Sequence, residues 1–202
     1  MFINMEAMGM ISQLNEQCRR IVLSGTIREE SAAQFLEQIT AFEYVDITKP
    51  ITVYIDTFGG SVDAALLMYD SIKACACPVV TVGIGKVMSA GVLLQAAGEK
   101  GSRFITENTR VMMHEVSGGA FGPISEMEVS IAETRRLQAI YIELLAKDTG
   151  NSKQKILKDI GQDFYMSAAE AVKYGIADKV VPTRKQLRKL TMKSPAKKQT
   201  KK

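Results

Sequence analysis

The chain has 202 residues, 46% hydrophobic, 24% charged and 6% aromatic, enough apolar material for one domain whose core needs no staple; a disordered chain and a small disulfide scaffold are excluded. The formal charge of +4 is unevenly placed, because residues 183–202 hold nine of the 26 Lys and Arg and none of the 22 Asp and Glu, leaving 17 against 22 and a body at −5. Cys18, Cys75 and Cys77 suit neither a disulfide framework nor a four-ligand zinc site, which points to a reducing compartment with no metal.

Residues 1–18 are Met-rich and read either as an amphipathic helix over Met8–Leu14 or as a short, partly ordered arm. The opening Met-Phe-Ile-Asn-Met-Glu lacks a basic start and no apolar run approaches the ~18 residues of a membrane span, so neither a signal peptide nor a membrane is expected and the cytoplasm is. Arg20–Gly25 reads as a buried strand stopped by Gly25, and Glu29–Phe42 as a helix with Ala32, Phe35, Leu36 and Ile39 on one face. Ile51–Asp56 alternates and is β-branched, a strand ending at the polar turn Thr57-Phe58-Gly59-Gly60. Ser61–Ala74 is helical, Val79–Gly83 a strand, and Ser89–Ala97 a short helix closed by Gly98; such alternation predicts an α/β fold with a parallel sheet.

Arg103–Ile105 and Arg110–His114 read as two further strands about the turn at 107–109, giving repeated β-β-α or β-α-β units. Ile124–Asp148 carries spaced apolar residues over about six or seven turns, a long helix that either crosses the body or projects and is covered by another subunit. Ser152 can cap a helix over Lys153–Ile160, and Ser167 with Glu170 forms a capping box before a helix ending at Gly175. Ala177–Val181 follows and Pro182 closes a domain spanning 19–182. Residues 183–202 form a basic tail expected to be a solvated, disordered extension.

Nucleophilic hydrolysis needs a nucleophile at a strand-to-helix turn, a base, and backbone N–H groups for the oxyanion. Ser89 meets the first condition, although a serine there is more often simply a helix cap. His114 is the single histidine, so any imidazole base is this residue; otherwise it is a hydrogen-bonded edge histidine. Asp163 can fix an imidazole tautomer or serve as an ordinary turn residue. Gly59-Gly60 reads evenly as a tight turn or as an open backbone donor approached by an extended substrate. The spacing of a phosphate loop or a dinucleotide fingerprint is absent.

In this order and at these intervals the segments resemble ClpP, the proteolytic subunit of the Clp protease. The family's Ser-Pro-Gly-Gly-Ser is similar to Thr57–Ser61, its Ser-Met-Gly to Ser89-Ala90-Gly91, and its Met-Ile-His-Gln-Pro to Met112–Val116. Its Asp-Arg-Phe-Leu-Ser-Ala-x-Glu-Ala is similar to Asp163–Ala171, followed by Tyr-Gly-x-x-Asp at Tyr174–Asp178. The resemblance covers about residues 20–181 and implies a ClpP/crotonase-like fold of repeated β-β-α units, with the long helix at about 124–148 as the projecting handle that packs ring on ring. It implies a serine endopeptidase working on unfolded proteins or peptides, with Ser89 as nucleophile, His114 as base and then acid, and Asp163 as orienting carboxylate. Gly59 and Ala90 would supply the oxyanion-hole N–H groups, and an extended substrate would add as a strand between Gly60-Ser61-Val62 and Val116-Ser117-Gly118.

Heptameric rings stacked as a tetradecamer are implied as the homo-oligomer, with ATP used only by a partner AAA+ unfoldase and no cofactor on this chain. The sequence departs from the family at Phe58 for proline, Lys86-Val87-Met88 for Gln-Ala-Ala, and Glu115-Val116 for Gln-Pro. Tyr54 of the unfoldase-docking pocket is kept while its phenylalanine falls near Ala74, and the arm is short. A crotonase-type acyl-CoA enzyme would share the fold, and a catalytically inactive ring or scaffold subunit would use the tail for nucleic acid. The tail has no aromatic residue to stack bases, so nucleic acid is not the expected partner.

Overall fold

Runs of β-branched residues separated by amphipathic helices fold here as parallel strands with helical crossovers. The computed structural model describes residues 5–191; the first four residues of the expected arm and residues 192–202 of the expected tail lie outside the described residues. In chain order the elements are α1 (Met5–Gln17), β1 (Arg20–Ile27), α2 (Glu29–Val45), β2 (Ile51–Gly60), α3 (Val62–Ala74), β3 (Val79–Met88), α4 (Ala90–Ala97), β4 (Arg103–Thr106) and β5 (Arg110–Met113). They continue with α5 (Ile124–Thr149), α6 (Lys153–Asp159), β6 (Phe164–Met166), α7 (Ala168–Tyr174), β7 (Lys179–Val181) and α8 (Arg184–Thr191).

The sheet runs β1-β2-β3-β4-β7 in parallel, with β5 parallel to β3 and β6 antiparallel to β5. β3 serves two neighbours: Thr81–Gly83 pairs with β4 and Lys86–Met88 with β5. Gly85, at φ +72°, separates the two halves, and a Cβ there would stand 2.9 Å from the Asp56 carboxylate. Lys86 closes that corner by an ion pair from Nζ to Asp56 Oδ1 at 2.8 Å.

Strand alternation divides the core. One face packs Ile55, Val79, Val87 and Ile105 against Phe35, Met68, Leu93 and Leu94 of α2, α3 and α4. The other gathers Val80, Val82 and Phe104 with Val181 and Leu187, and with Tyr54 and Leu190 at its edge. The expected caps form: Ser152 accepts from the Lys155 N–H, and Ser167 and Glu170 make a reciprocal box.

Several expectations need correction. β1 does not stop at Gly25, and β2 does not end before Thr57. A register shift between Gly25 and Thr26 carries the ladder on, so that Thr26 and Ile27 pair with Gly59 and Gly60. A bulge adds a residue without ending the pairing. The N-terminal helix spans Met5–Gln17, longer than the helix expected over Met8–Leu14. The tail is not an extension from its start: residues 184–191 are helical, and Leu187 is only 6% exposed because the second face of the sheet offers it Val80, Val82 and Phe104. Burying one leucine side chain contributes about 2 kcal/mol toward docking this short helix.

Candidate functional site

The turn after β3 is built by its neighbours. The Ser89 N–H donates to Met112 O at 2.8 Å, which ties the end of β3 to β5 and leaves Ser89 at φ 52°, ψ −125° as the chain enters α4. Ser89 stands at the cap position of α4, yet its hydroxyl makes no cap hydrogen bond. Its Oγ lies instead 2.8 Å from His114 Nε2. The alternative that Ser89 is merely a cap is removed by this geometry. A hydroxyl in contact with an imidazole can hand it a proton as it attacks a carbonyl.

His114 follows the last residue of β5. The antiparallel register Val111↔Met166, Met112↔Tyr165 and Met113↔Phe164, extended by one residue, sets His114 opposite Asp163. Three residues of β6 therefore decide where Asp163 sits, and sequence reading gave no strand there. The Asp163 carboxylate faces Nδ1 of His114 at 3.9 Å. That exceeds a direct hydrogen bond. The structure thus joins Ser89 to His114 and brings Asp163 near without bonding it; the Asp163 side chain is 58% exposed.

Gly59 is the close neighbour of Ser89. At φ +100°, it would place a Cβ 2.6 Å from Ser89 Cβ and 3.0 Å from Met88 O, so only glycine fits. Its N–H donates to Thr57 Oγ1 at 3.0 Å. Of the two expected oxyanion donors, the Gly59 N–H is therefore engaged within its own turn. The Ala90 N–H, first in α4, has no intrahelical acceptor.

A cleft of ≈ 40 Å³ beside Ser89 and His114 is lined by Gly60, Val62, Val116 and Ser117 among others. Ser61 and Gly118, expected with them, do not line it. The Ser61 N–H donates to Ile27 O at 3.0 Å, its carbonyl accepts from Ala65 N, and its hydroxyl bonds Glu29 at 2.8 Å while accepting from Ala64 N. Ser61 is consumed in capping α3. Gly118 lies against α5, where a Cβ would stand 3.3 Å from Thr134 Oγ1. The Val116 N–H is taken by Gln138 Oε1 at 3.1 Å.

Sequence reading singled out no site residue in the long helix that carries Tyr141. The structure lines the cleft with it, and its hydroxyl donates to Ser89 O at 3.2 Å. Burial pushes that phenol well above its ordinary range. No sequence signal separates such a tyrosine from a core residue. Among the described residues no three His, Cys, Asp or Glu side chains converge as metal ligands, and no helix is long and apolar enough to cross a membrane.

A larger, mostly apolar groove of ≈ 530 Å³ lies between Val22, Tyr54, Ile84 and Thr106 on one side and Val181, Pro182, Thr183 and Leu187 on the other. Ala74, the position expected to complete an aromatic pocket with Tyr54, is not among its walls.

A parallel sheet extended by a short antiparallel strand, helices packed on it, and a serine–histidine contact at the strand ends define an α/β protein of the ClpP/crotonase-like fold. The chain belongs to the Clp protease family, a family of peptidases, whose model matches residues 4–184. The match takes in α1, which the motif-by-motif resemblance did not reach.

Proposed function

We propose that the chain is a serine endopeptidase subunit that hydrolyses peptide bonds of unfolded proteins or peptides inside a ring assembly. The observation that carries this is the 2.8 Å contact between Ser89 Oγ and His114 Nε2, made by a serine whose hydroxyl has no capping role. Ser89 Oγ attacks the scissile carbonyl while His114 takes its proton, and the protonated imidazole then delivers that proton to the leaving amine. Water repeats the cycle on the acyl-enzyme. Asp163 orients the imidazole once its carboxylate closes on Nδ1, and Ala90 N–H receives the oxyanion, joined by Gly59 N–H if that group turns from Thr57. No cofactor takes part in these steps; ATP is used only by a partner unfoldase.

Heptameric rings stacked as a tetradecamer suit α5, whose first half exposes Ile124, Val129 and Ile131. An AAA+ unfoldase would dock an apolar segment in the groove beside Tyr54, walled here by Val22, Ile84 and Leu187. The free Cys18, Cys75 and Cys77 fit the cytoplasm.

A second reading, an inactive ring subunit, is favoured by the 3.9 Å gap to Asp163 and the engaged Gly59 N–H. One experiment separates the two: a fluorophosphonate probe on the assembled particle. Labelling that maps to Ser89 and vanishes in Ser89→Ala supports the peptidase, whereas an unlabelled particle beside a labelled control hydrolase supports the inactive subunit.

A further inference from the structure

We infer that Tyr141 is a positioning residue for the oxyanion donor, acting through the peptide that joins Ser89 to Ala90. The inference rests on the peptidase reading above and concerns how its transition state is held. The Ser89 carbonyl and the Ala90 N–H are the two ends of one planar trans peptide, and they point in opposite directions. Whatever holds the carbonyl fixes the line of the N–H.

Two donors hold that carbonyl: the Val92 N–H at 2.9 Å, from the first turn of α4, and the Tyr141 hydroxyl at 3.2 Å, from α5. The peptide needs such support, because Ser89 lies at φ 52°, a conformation that is sparsely populated for a residue with a side chain. Hydrogen bonds accepted at a carbonyl also polarise the N–H at the far end of the same peptide and strengthen it as a donor. Since Gly59 N–H is committed to Thr57, the Ala90 N–H bears more of the developing charge, and its alignment matters correspondingly.

Tyr141 is suited to this role. It is buried, and its burial keeps the phenol protonated and thus a donor throughout the neutral range. The surrounding segment of α5 is rigidly anchored: Asp148 accepts from Lys73 Nζ at 2.8 Å and Tyr69 Oη at 2.9 Å, and its carbonyl accepts from Arg103 Nη1 at 2.9 Å. Val92 continues to hold the same carbonyl when Tyr141 is changed, so the fold does not depend on the hydroxyl.

The test compares wild type with Tyr141→Phe, and with Tyr141→Met as a second variant lacking the donor, all as assembled particles of verified size and melting temperature. A fluorogenic peptide gives kcat and KM, and a peptide aldehyde, which Ser89 adds to as a hemiacetal with its oxygen in the oxyanion position, reports donor quality. Loss of one hydrogen bond predicts a fall in kcat of about five- to tenfold at unchanged KM, a matching loss of aldehyde affinity, and an unmoved acidic limb of the pH profile, since His114 is untouched. Wild-type kcat and aldehyde affinity in both variants overturn the inference, as does a loss of KM and melting temperature with no selective loss of aldehyde binding. An inactive, unlabelled wild type overturns the peptidase reading and this inference with it.

Discussion

Ser89 is held in a backbone conformation that costs on the order of 1–3 kcal/mol and persists only where its surroundings over-determine it. Here the surroundings are Met112 O on its N–H, Val92 and Tyr141 on its carbonyl, and the bare Cα of Gly59 against its Cβ. Gly59→Ala is therefore expected to abolish fluorophosphonate labelling of Ser89, because the added methyl meets Ser89 Cβ at 2.6 Å and forces either the turn or the serine to move. The geometry also ranks the three polar residues. Ser89→Ala and His114→Ala remove the bonded pair and should each lower kcat about a thousandfold or more, whereas Asp163→Asn should cost less by a factor of about ten or more. The Asp163 carboxylate stands 3.9 Å from the imidazole and is largely exposed; steady-state kinetics of the three variants checks the order. The residues alone left Ser89 as a cap or a nucleophile and His114 as an edge histidine or a base; that the two belong together was what the family resemblance implied, and the structure adds their 2.8 Å contact. The Gly59 N–H, the commitment of Ser61 to α3 and the contact of Tyr141 were not legible, since each depends on where a side chain of a distant element arrives.

At the scale of elements, periodicity and punctuation place most helices within a residue or two, since Gly98, Gly150 and Gly175 end them and Ser152 and Ser167 begin them. What the chain hides is short or cooperative: β6 has three residues, too few for a period, and the extension of β1 through Gly25 depends on its partner. Another cooperative feature is the lock between β4 and β7. Asp178 accepts from Gly101 N at 2.7 Å, Arg103 N at 2.9 Å, Arg103 Nε at 3.0 Å and Arg103 Nη2 at 2.6 Å, and its own N–H donates to Arg103 O. Burial works to raise the Asp178 carboxyl, but the Arg103 guanidinium and these N–H donors override it and hold it below the ordinary range. Its folded pKa is thus lower than its unfolded value of about 3.9. Its contribution is complete above that pH and is lost as the pH falls through the folded value. Melting temperature measured from pH 7 down to pH 2 should fall more for wild type than for Asp178→Asn. At pH 7 the variant should be less stable by on the order of 2–4 kcal/mol, because Arg103 is left buried and unpaired.

For the whole molecule α5 poses one problem, that of covering exposed apolar surface. A 26-residue helix is about 39 Å long, and among the described side chains only Tyr141, Ile142 and Leu145, all in its last third, are buried. Val129 is 70% and Ile131 46% exposed. A helix so placed gains little from its own domain over its first half, and in the proposed ring assembly the apolar residues there would be covered by another copy. Because these side chains contribute little to the isolated fold, replacing them separates assembly from folding. Val129→Glu with Ile131→Glu is expected to leave the unfolding free energy of the dissociated subunit within about 1 kcal/mol of wild type while shifting the particle to a smaller species in sedimentation velocity. Each new carboxylate would have to be desolvated at the contact between copies, which costs several kcal/mol unless a cation pairs with it. If the double variant sediments as wild type does, α5 is not the assembly surface and its exposed residues need another explanation. If it dissociates and loses peptidase activity while Ser89 keeps its contact with His114, assembly acts on catalysis through the parts of the site that the subunit leaves unset, the 3.9 Å gap at Asp163 and the Gly59 N–H committed to Thr57.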